Sequence, residues 1–307
     1  MNTLHVTLGP LTLKNPVLVA AGTFGYGVEF ARAVRLNRLG ALITKTLTRQ
    51  PREENPPPRL VETPSGMLNA VGLQNIGLDA FLTEKLPPLA NIGVPVIVSI
   101  LGEALPDVEA MCVRLESQPG VAAIELNLSC PNTGRGTPLL IAQDAEATFA
   151  AVHAARQQTT KPLIAKLSPD VTDLAPIAQA AVRAGATALL LVNTFMGMSL
   201  DATTRRSRLG MLTGGVSGPA IRPLAVYRVW YTARSVNVPI IGLGGIVRAD
   251  DALEFFLAGA SAVAVGTANF ADPRAPLRVL RGLTRYVERH RIESWEALRG
   301  AVNRPER

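Results

Sequence analysis

Cysteine and histidine are nearly absent, two and three residues respectively in a chain of 307. Cys112 and Cys130 lie far apart in different contexts, so neither a disulfide framework nor a metal-ligand spacing is available. His5, His153 and His290 have no carboxylate or cysteine pattern beside them, and the expectation is that no metal is bound. Aromatic residues make up only 5%, which leaves few stacking platforms for single-stranded nucleic acid. The formal net charge is +7, but Lys and Arg are scattered apart from short clusters such as Arg205-Arg206-Ser207-Arg208. Such a charge fits an anionic small ligand and a merely soluble basic surface equally well. No apolar run approaches the about 18 residues that mark a membrane span, and no basic stretch precedes an apolar core at the N-terminus. The expectation is a reduced, cytoplasmic protein with neither nucleic acid nor membrane as partner.

What the chain does have is a rhythm. Hydrophobic residues reach 48%, enough to bury a large core. Eight short apolar or β-branched runs recur: Pro16 to Ala21, Ala41 to Thr46, Pro95 to Ile100, Ala122 to Leu128, Pro162 to Leu167, Ala188 to Asn193, Pro239 to Leu243 and Ala262 to Val265. They are apolar throughout rather than alternating, as strands buried on both faces are. Most are followed by a helical pattern, and two of these, Asp173 to Ala184 and Ala249 to Ala258, stop at Gly185 and Gly259. Glycine there accepts the left-handed conformation that ends a helix. The repeat predicts an α/β fold, a (β/α)8 barrel formed by residues 1–307 as a single domain. Two insertions, Leu47 to Asn75 and Phe195 to Gly218, are too long for simple crossovers and are expected at the C-terminal face of the strands, as lids or pocket walls. A third loop, Asn132 to Pro138, follows Cys130.

Parallel strands deliver their C-terminal ends to one mouth, so those ends are where chemistry is sought. They carry Lys45 and Thr46, Ser99, Asn127 and Cys130, Lys166, Asn193 and Thr194, with the pairs Gly244-Gly245 and Gly266-Thr267 after the last two strands. Glycines at those two positions let backbone N–H groups approach a phosphate. Gly242-Leu-Gly244-Gly245 is not a dinucleotide fingerprint, because the full glycine spacing is missing and Asp250 and Glu254 follow too soon. Lys45 and Lys166 interrupt apolar strands, where an ammonium is costly unless a ligand or partner pairs it. Cys130 stands in a loop leaving a strand end, open to a ligand, whereas Cys112 reads as a small buried hydrophobe in a helix. Asn69, Asn127, Asn132 and Asn193 offer uncharged donors and acceptors suited to a planar ring edged with carbonyl and N–H groups. Asn75 reads equally well as a turn residue.

Phrases along nearly the whole chain resemble the class 1 dihydroorotate dehydrogenases, and within them the class 1B catalytic subunits. They run from Ala20-Ala-Gly-Thr-Phe24, Thr44-Lys-Thr46 and Asn69-Ala-Val-Gly-Leu-Gln-Asn75 to Glu125-Leu-Asn-Leu-Ser-Cys-Pro-Asn132. They continue through Ala165-Lys-Leu-Ser-Pro169, Val192-Asn-Thr194, Gly215-Val-Ser-Gly-Pro-Ala-Ile221, Gly242-Leu-Gly-Gly-Ile246 and Val265-Gly-Thr267. The resemblance implies oxidation of dihydroorotate to orotate in pyrimidine biosynthesis, with Cys130 as base and a hydride passing to FMN. It implies that Asn69, Asn127, Asn132, Asn193 and Thr194 hold the pyrimidine and that Lys45 lies between flavin and substrate. Around the flavin it implies Ala21, Thr46, Ser99, Asn127, Val192 and Gly218, with Lys166 neutralising the reduced ring. Gly244, Gly245, Gly266 and Thr267 fall at the phosphate. It further implies a homodimer joined to an electron-transfer subunit that carries FAD and an iron–sulfur cluster and passes electrons to NAD. Two places depart from the family pattern: Ser99 stands where relatives often have asparagine, and Thr133 to Pro138 lacks the expected Gly-Gly and Phe-Gly pairs. The alternatives are a dihydropyrimidine dehydrogenase subunit, a tRNA dihydrouridine synthase, for which little chain remains beyond Ala268, and a non-enzymatic barrel.

Overall fold

The computed structural model describes residues 4–128 and 141–303. Cys130, Asn132 and the loop to Pro138 lie outside the described residues. The eight apolar runs form eight parallel strands: β1 (Val17–Val19), β2 (Ala41–Ile43), β3 (Val96–Ile100), β4 (Ala123–Asn127), β5 (Leu163–Lys166), β6 (Ala188–Leu191), β7 (Ile240–Leu243) and β8 (Ala262–Val265). They close in the order β6-β7-β8-β1-β2-β3-β4-β5, with β5 pairing β6 to complete the barrel. Every residue of all eight is buried, because one face fills the barrel and the other meets the helical layer. Cutting one such aliphatic side chain back to alanine in a core of this kind costs about 2–5 kcal/mol.

The regular ladders are shorter than the apolar runs, and the difference falls at the mouth. Past Ile43, Thr44 N still donates to Ile97 O (3.0 Å) and Leu47 N to Ser99 O (2.9 Å), but Lys45 N turns to Gly25 O (2.8 Å). That local break puts Lys45 and Thr46 at the rim. The helical layer includes Leu105–Glu116, Ala145–Gln158, Ala175–Arg183, Arg222–Ala233, Ala249–Ala258 and Ala275–His290. The two glycine stops are observed, Gly185 at φ +108° and Gly259 at φ +117°. At the other end of Ala175–Arg183, the Asp173 carboxylate accepts from Ala175 N (2.9 Å) and Pro176 occupies the first turn, where its missing N–H costs nothing. The crossover between β1 and β2 departs from the repeat, with only the 3-10 turns Val28–Phe30 and Leu36–Arg38. Ahead of β1, the hairpin Val6–Leu8/Leu11–Leu13 places Gly9 against Thr187, the residue before β6, and so covers the N-terminal end of the barrel.

The two long insertions meet. Leu60–Thr63 and Gly66–Asn69 form a hairpin in the first, Phe195–Gly197 and Gly214–Ser217 pair in the second, and the two hairpins join through Gly66–Asn69 and Gly214–Ser217, Asn69 opposite Gly215. The four-stranded antiparallel sheet has its own small core of Leu68, Ala70 and Leu209, separate from the barrel core. No helix among the described residues is long and apolar enough to cross a membrane.

Candidate active site

A cavity of about 1130 Å³, counting its solvent-open part, lies between the strand ends and the small sheet. Its walls hold Ala21 after β1, Lys45 and Thr46 after β2, Asn127 at the end of β4 and Lys166 at the end of β5. Val192, Asn193 and Thr194 follow β6, and Gly244, Gly245, Gly266 and Thr267 follow β7 and β8. The insertions add Asn69 and Gly218. Residues from seven strand ends and two insertions therefore share one cavity, which parallel strands ending at a common rim bring about. Ser99 is not part of this lining. Its side chain is fully buried behind the wall, with its hydroxyl 2.8 Å from that of Thr46 and donating to Glu125 Oε1 at 2.6 Å. Asn75 proves to be a turn residue: its carbonyl oxygen accepts from Thr48 N and Gly77 N, and its amide nitrogen donates to Thr48 Oγ1 and Leu73 O.

Two ammonium groups give the cavity its electrostatic character. Lys45 is partly buried and donates to Gln74 Oε1 at 2.5 Å. Burial draws its pKa below the ordinary lysine value, against the opposing fields of Glu54 and Glu29. Lys166 is 4% exposed and its ammonium makes no side-chain hydrogen bond with another described residue, so an anion or a polar ring edge in the cavity would satisfy it. Behind it lies Glu125, whose carboxyl is fully buried. Burial pushes its pKa up, while the Lys166 charge and the Ser99 hydroxyl act in the other direction. Sequence reading overlooked Glu125, although a carboxylate in an apolar strand is as anomalous as the lysine of β5 and the same argument would have found it.

The end of the cavity formed by β7 and β8 is built from backbone. Gly245 has φ +70°, and a Cβ there would stand 2.8 Å from Gly218 O and 2.8 Å from Arg222 Cβ, so a side chain fits neither the conformation nor the space. Arg222 does not supply the charge at this end: its guanidinium pairs with Asp251 and, at 3.3 Å, with Glu254. Thr267 donates to Ser217 Oγ at 2.8 Å, tying the loop after β8 to the small sheet. A phosphate would be held by main-chain N–H groups of the glycine turns, and a buried ammonium and amides would meet a polar ring edge; both sets of groups line the same cavity. The residues fit FMN.

The whole chain has close relatives. The family model for dihydroorotate dehydrogenase matches residues 3–287. The protein named dihydroorotate dehydrogenase B (NAD(+)), catalytic subunit, of Geotalea uraniireducens is 50% identical over 299 residues, covering 97% of this chain and 98% of its own. Its namesake in Desulforudis audaxviator is also 50% identical over 299 residues, with 97% of each chain covered. Among solved structures, dihydroorotate dehydrogenase of Eimeria tenella in complex with ferulenol superposes with a TM-score of 0.81 at 25% identity, over 99% of this chain and 90% of that one. With a family model spanning most of its length and half its residues shared with full-length relatives, the chain belongs to the dihydroorotate dehydrogenase family.

Proposed function

We propose that this chain is the catalytic subunit of an NAD-linked dihydroorotate dehydrogenase, which oxidises dihydroorotate to orotate in a single cavity at the barrel mouth. The observation that carries the reading is the convergence of Lys45, Asn69, Asn127, Lys166, Asn193 and Thr194 on one cavity that ends in the glycine turns. Residues 1–307 act as one domain in this reading, in the cytoplasm, as a homodimer with an electron-transfer subunit holding FAD and an iron–sulfur cluster.

The reaction removes a proton from C5 and a hydride from C6 of the substrate. FMN, when bound, supplies the hydride acceptor. Cys130 takes the proton. Asn69, Asn127, Asn132, Asn193 and Thr194 bind the pyrimidine through amide and hydroxyl groups, which match a ring of alternating carbonyl and N–H groups without adding charge. Lys45 would lie between substrate and flavin, where an ammonium favours the thiolate form of a catalytic cysteine. Lys166 brings a fixed positive charge to the wall, where electron density arriving in the cavity is stabilised most effectively away from water. Ala21, Thr46 and Val192 would pack against the flavin, Ser99 supports Thr46 from behind, and Gly218, Gly244, Gly245, Gly266 and Thr267 would leave room for the phosphate to approach the backbone.

The direct test is anaerobic addition of dihydroorotate to the purified protein. Loss of the flavin absorbance with formation of orotate is expected, and bleaching by dihydrouracil in its place would point to a dihydropyrimidine dehydrogenase. The protein should purify yellow and, on denaturation, release FMN; release of FAD alone would contradict a cavity that ends in a terminal-phosphate cradle. Without its partner subunit the chain should reduce artificial dyes and transfer electrons to NAD poorly. Efficient NAD reduction by the isolated chain, or fumarate as its best oxidant, would remove the need for a partner and with it this assignment.

A further inference from the structure

Behind the cavity wall, four side chains from the ends of β2, β3 and β4 form one row of hydrogen bonds. Asn127 Nδ2 donates to Thr46 Oγ1 at 3.0 Å, the Thr46 and Ser99 hydroxyls lie 2.8 Å apart, and Ser99 Oγ donates to Glu125 Oε1 at 2.6 Å. All four residues are buried, Ser99 and Glu125 completely. A hydroxyl has one proton to give. That of Ser99 is committed to Glu125, so the bond between the two hydroxyls is donated by Thr46. Thr46 then has no proton left and can only accept, and of the two ends of the Asn127 amide only the nitrogen can donate to it. Each direction is dictated by the next, and the series ends at Glu125.

We propose that Glu125 is a positioning residue of the active site: as the acceptor at the buried end of this row, it sets the direction of every bond in it and hence which way the Asn127 amide is turned at the cavity wall. The proposal rests on reading the cavity as the dihydroorotate and FMN site. A turned amide would exchange a carbonyl acceptor for an N–H donor against a ring edge, which discriminates between ligands strongly when the groups are buried. The direction holds because Oε1 accepts, as both oxygens of a carboxylate do, and the carboxylate form is the one a neighbouring cation favours. Lys166 is the cation whose field acts on this carboxyl.

The test uses the FMN-loaded protein and orotate as probe, with affinity read from the perturbation of the flavin absorbance. Ser99→Ala and Glu125→Leu should each weaken orotate binding by about tenfold, the worth of one buried hydrogen bond in the right orientation. The double variant should be no weaker than either single one, since both cut the same row. Glu125→Gln should restore near-wild-type affinity, because its amide oxygen can accept from Ser99, and a role that depended on the carboxylate charge would not be rescued. If Glu125→Leu does not fold, Ser99→Ala and Glu125→Gln decide the matter between them. Wild-type affinity in Ser99→Ala, a Glu125→Gln protein as weak as Ser99→Ala, or losses that multiply in the double variant would each overturn the proposal. A wild-type protein that holds FMN but shows no orotate perturbation overturns the reading of the site itself, and this proposal with it.

Discussion

Replacing Cys130 with alanine is expected to leave the protein yellow and most of its orotate affinity intact while slowing flavin reduction by dihydroorotate about 10²- to 10⁴-fold, the usual worth of a positioned general base. Serine should rescue only in part, since its hydroxyl is a far weaker acid than a thiol and no histidine stands in the sequence pattern to activate it. In the wild type, the rate of reduction should rise with pH through the thiol pKa, ordinarily about 8.5 and lower beside an ammonium, and then level off. The sign follows from the base being active only when deprotonated. The other cysteine provides the control. Cys112 lies in the helix Leu105–Glu116, buried, and burial pushes its pKa up to about 12, so it stays a thiol across the working range. Cys112→Ala should therefore keep the wild-type pH profile, whereas Cys130→Ala should lose it. Stopped-flow reduction under anaerobic conditions measures both, and a normal rate in Cys130→Ala would place the base elsewhere.

Gly245→Val should cost FMN affinity about 100-fold, enough for the protein to purify largely colourless. Two effects act together. A β-branched residue at φ +70° carries backbone strain of about 1–3 kcal/mol, and a Cβ at this position stands 2.8 Å from the backbone oxygen of Gly218, which must move. The turn that would present its N–H groups to the phosphate is then displaced. Gly93→Val separates this from simple destabilisation: Gly93 has a comparable φ of +73° with nothing within 4 Å of its would-be Cβ, and it does not line the cavity. Equilibrium titration of apoprotein with FMN should show the loss for Gly245→Val alone. Equal affinities in the two variants would detach the glycine turn from the cofactor.

Sequence reading reached furthest where one local property decides the outcome. Both-face burial marks the eight strands because a strand lined by apolar residues on each side has only one kind of place to go, between a filled barrel and a helical layer. Gly185 and Gly259 end their helices as read, since a left-handed residue at that point is a local demand. The polar residues at strand ends come together because parallel strands share a direction, a consequence of topology that needs no coordinates once the repeat is seen. The limits are equally specific. Ser99 and Asn127 are both polar residues near strand ends, yet one turns behind the wall and the other lines it. Sequence position does not separate them, because that depends on how each strand twists and on which neighbour offers a partner.

Composition, periodicity and strand-end residues by themselves thus determined the barrel, the face on which its chemistry lies, and most of the polar side chains that line the cavity. Tertiary structure alone decided three other things. It joined the two insertions, Gly66–Asn69 pairing with Gly214–Ser217, although neither glycine-rich stretch shows its partner. It replaced the first crossover helix by 3-10 turns. It also set Glu125, Ser99, Thr46 and Asn127 in one row, from three strands far apart in the sequence. For the sheet and the row the physical reason is the same: hydrogen bonds between remote segments depend on the relative placement of whole elements to within an ångström, and no local preference along the chain encodes that distance.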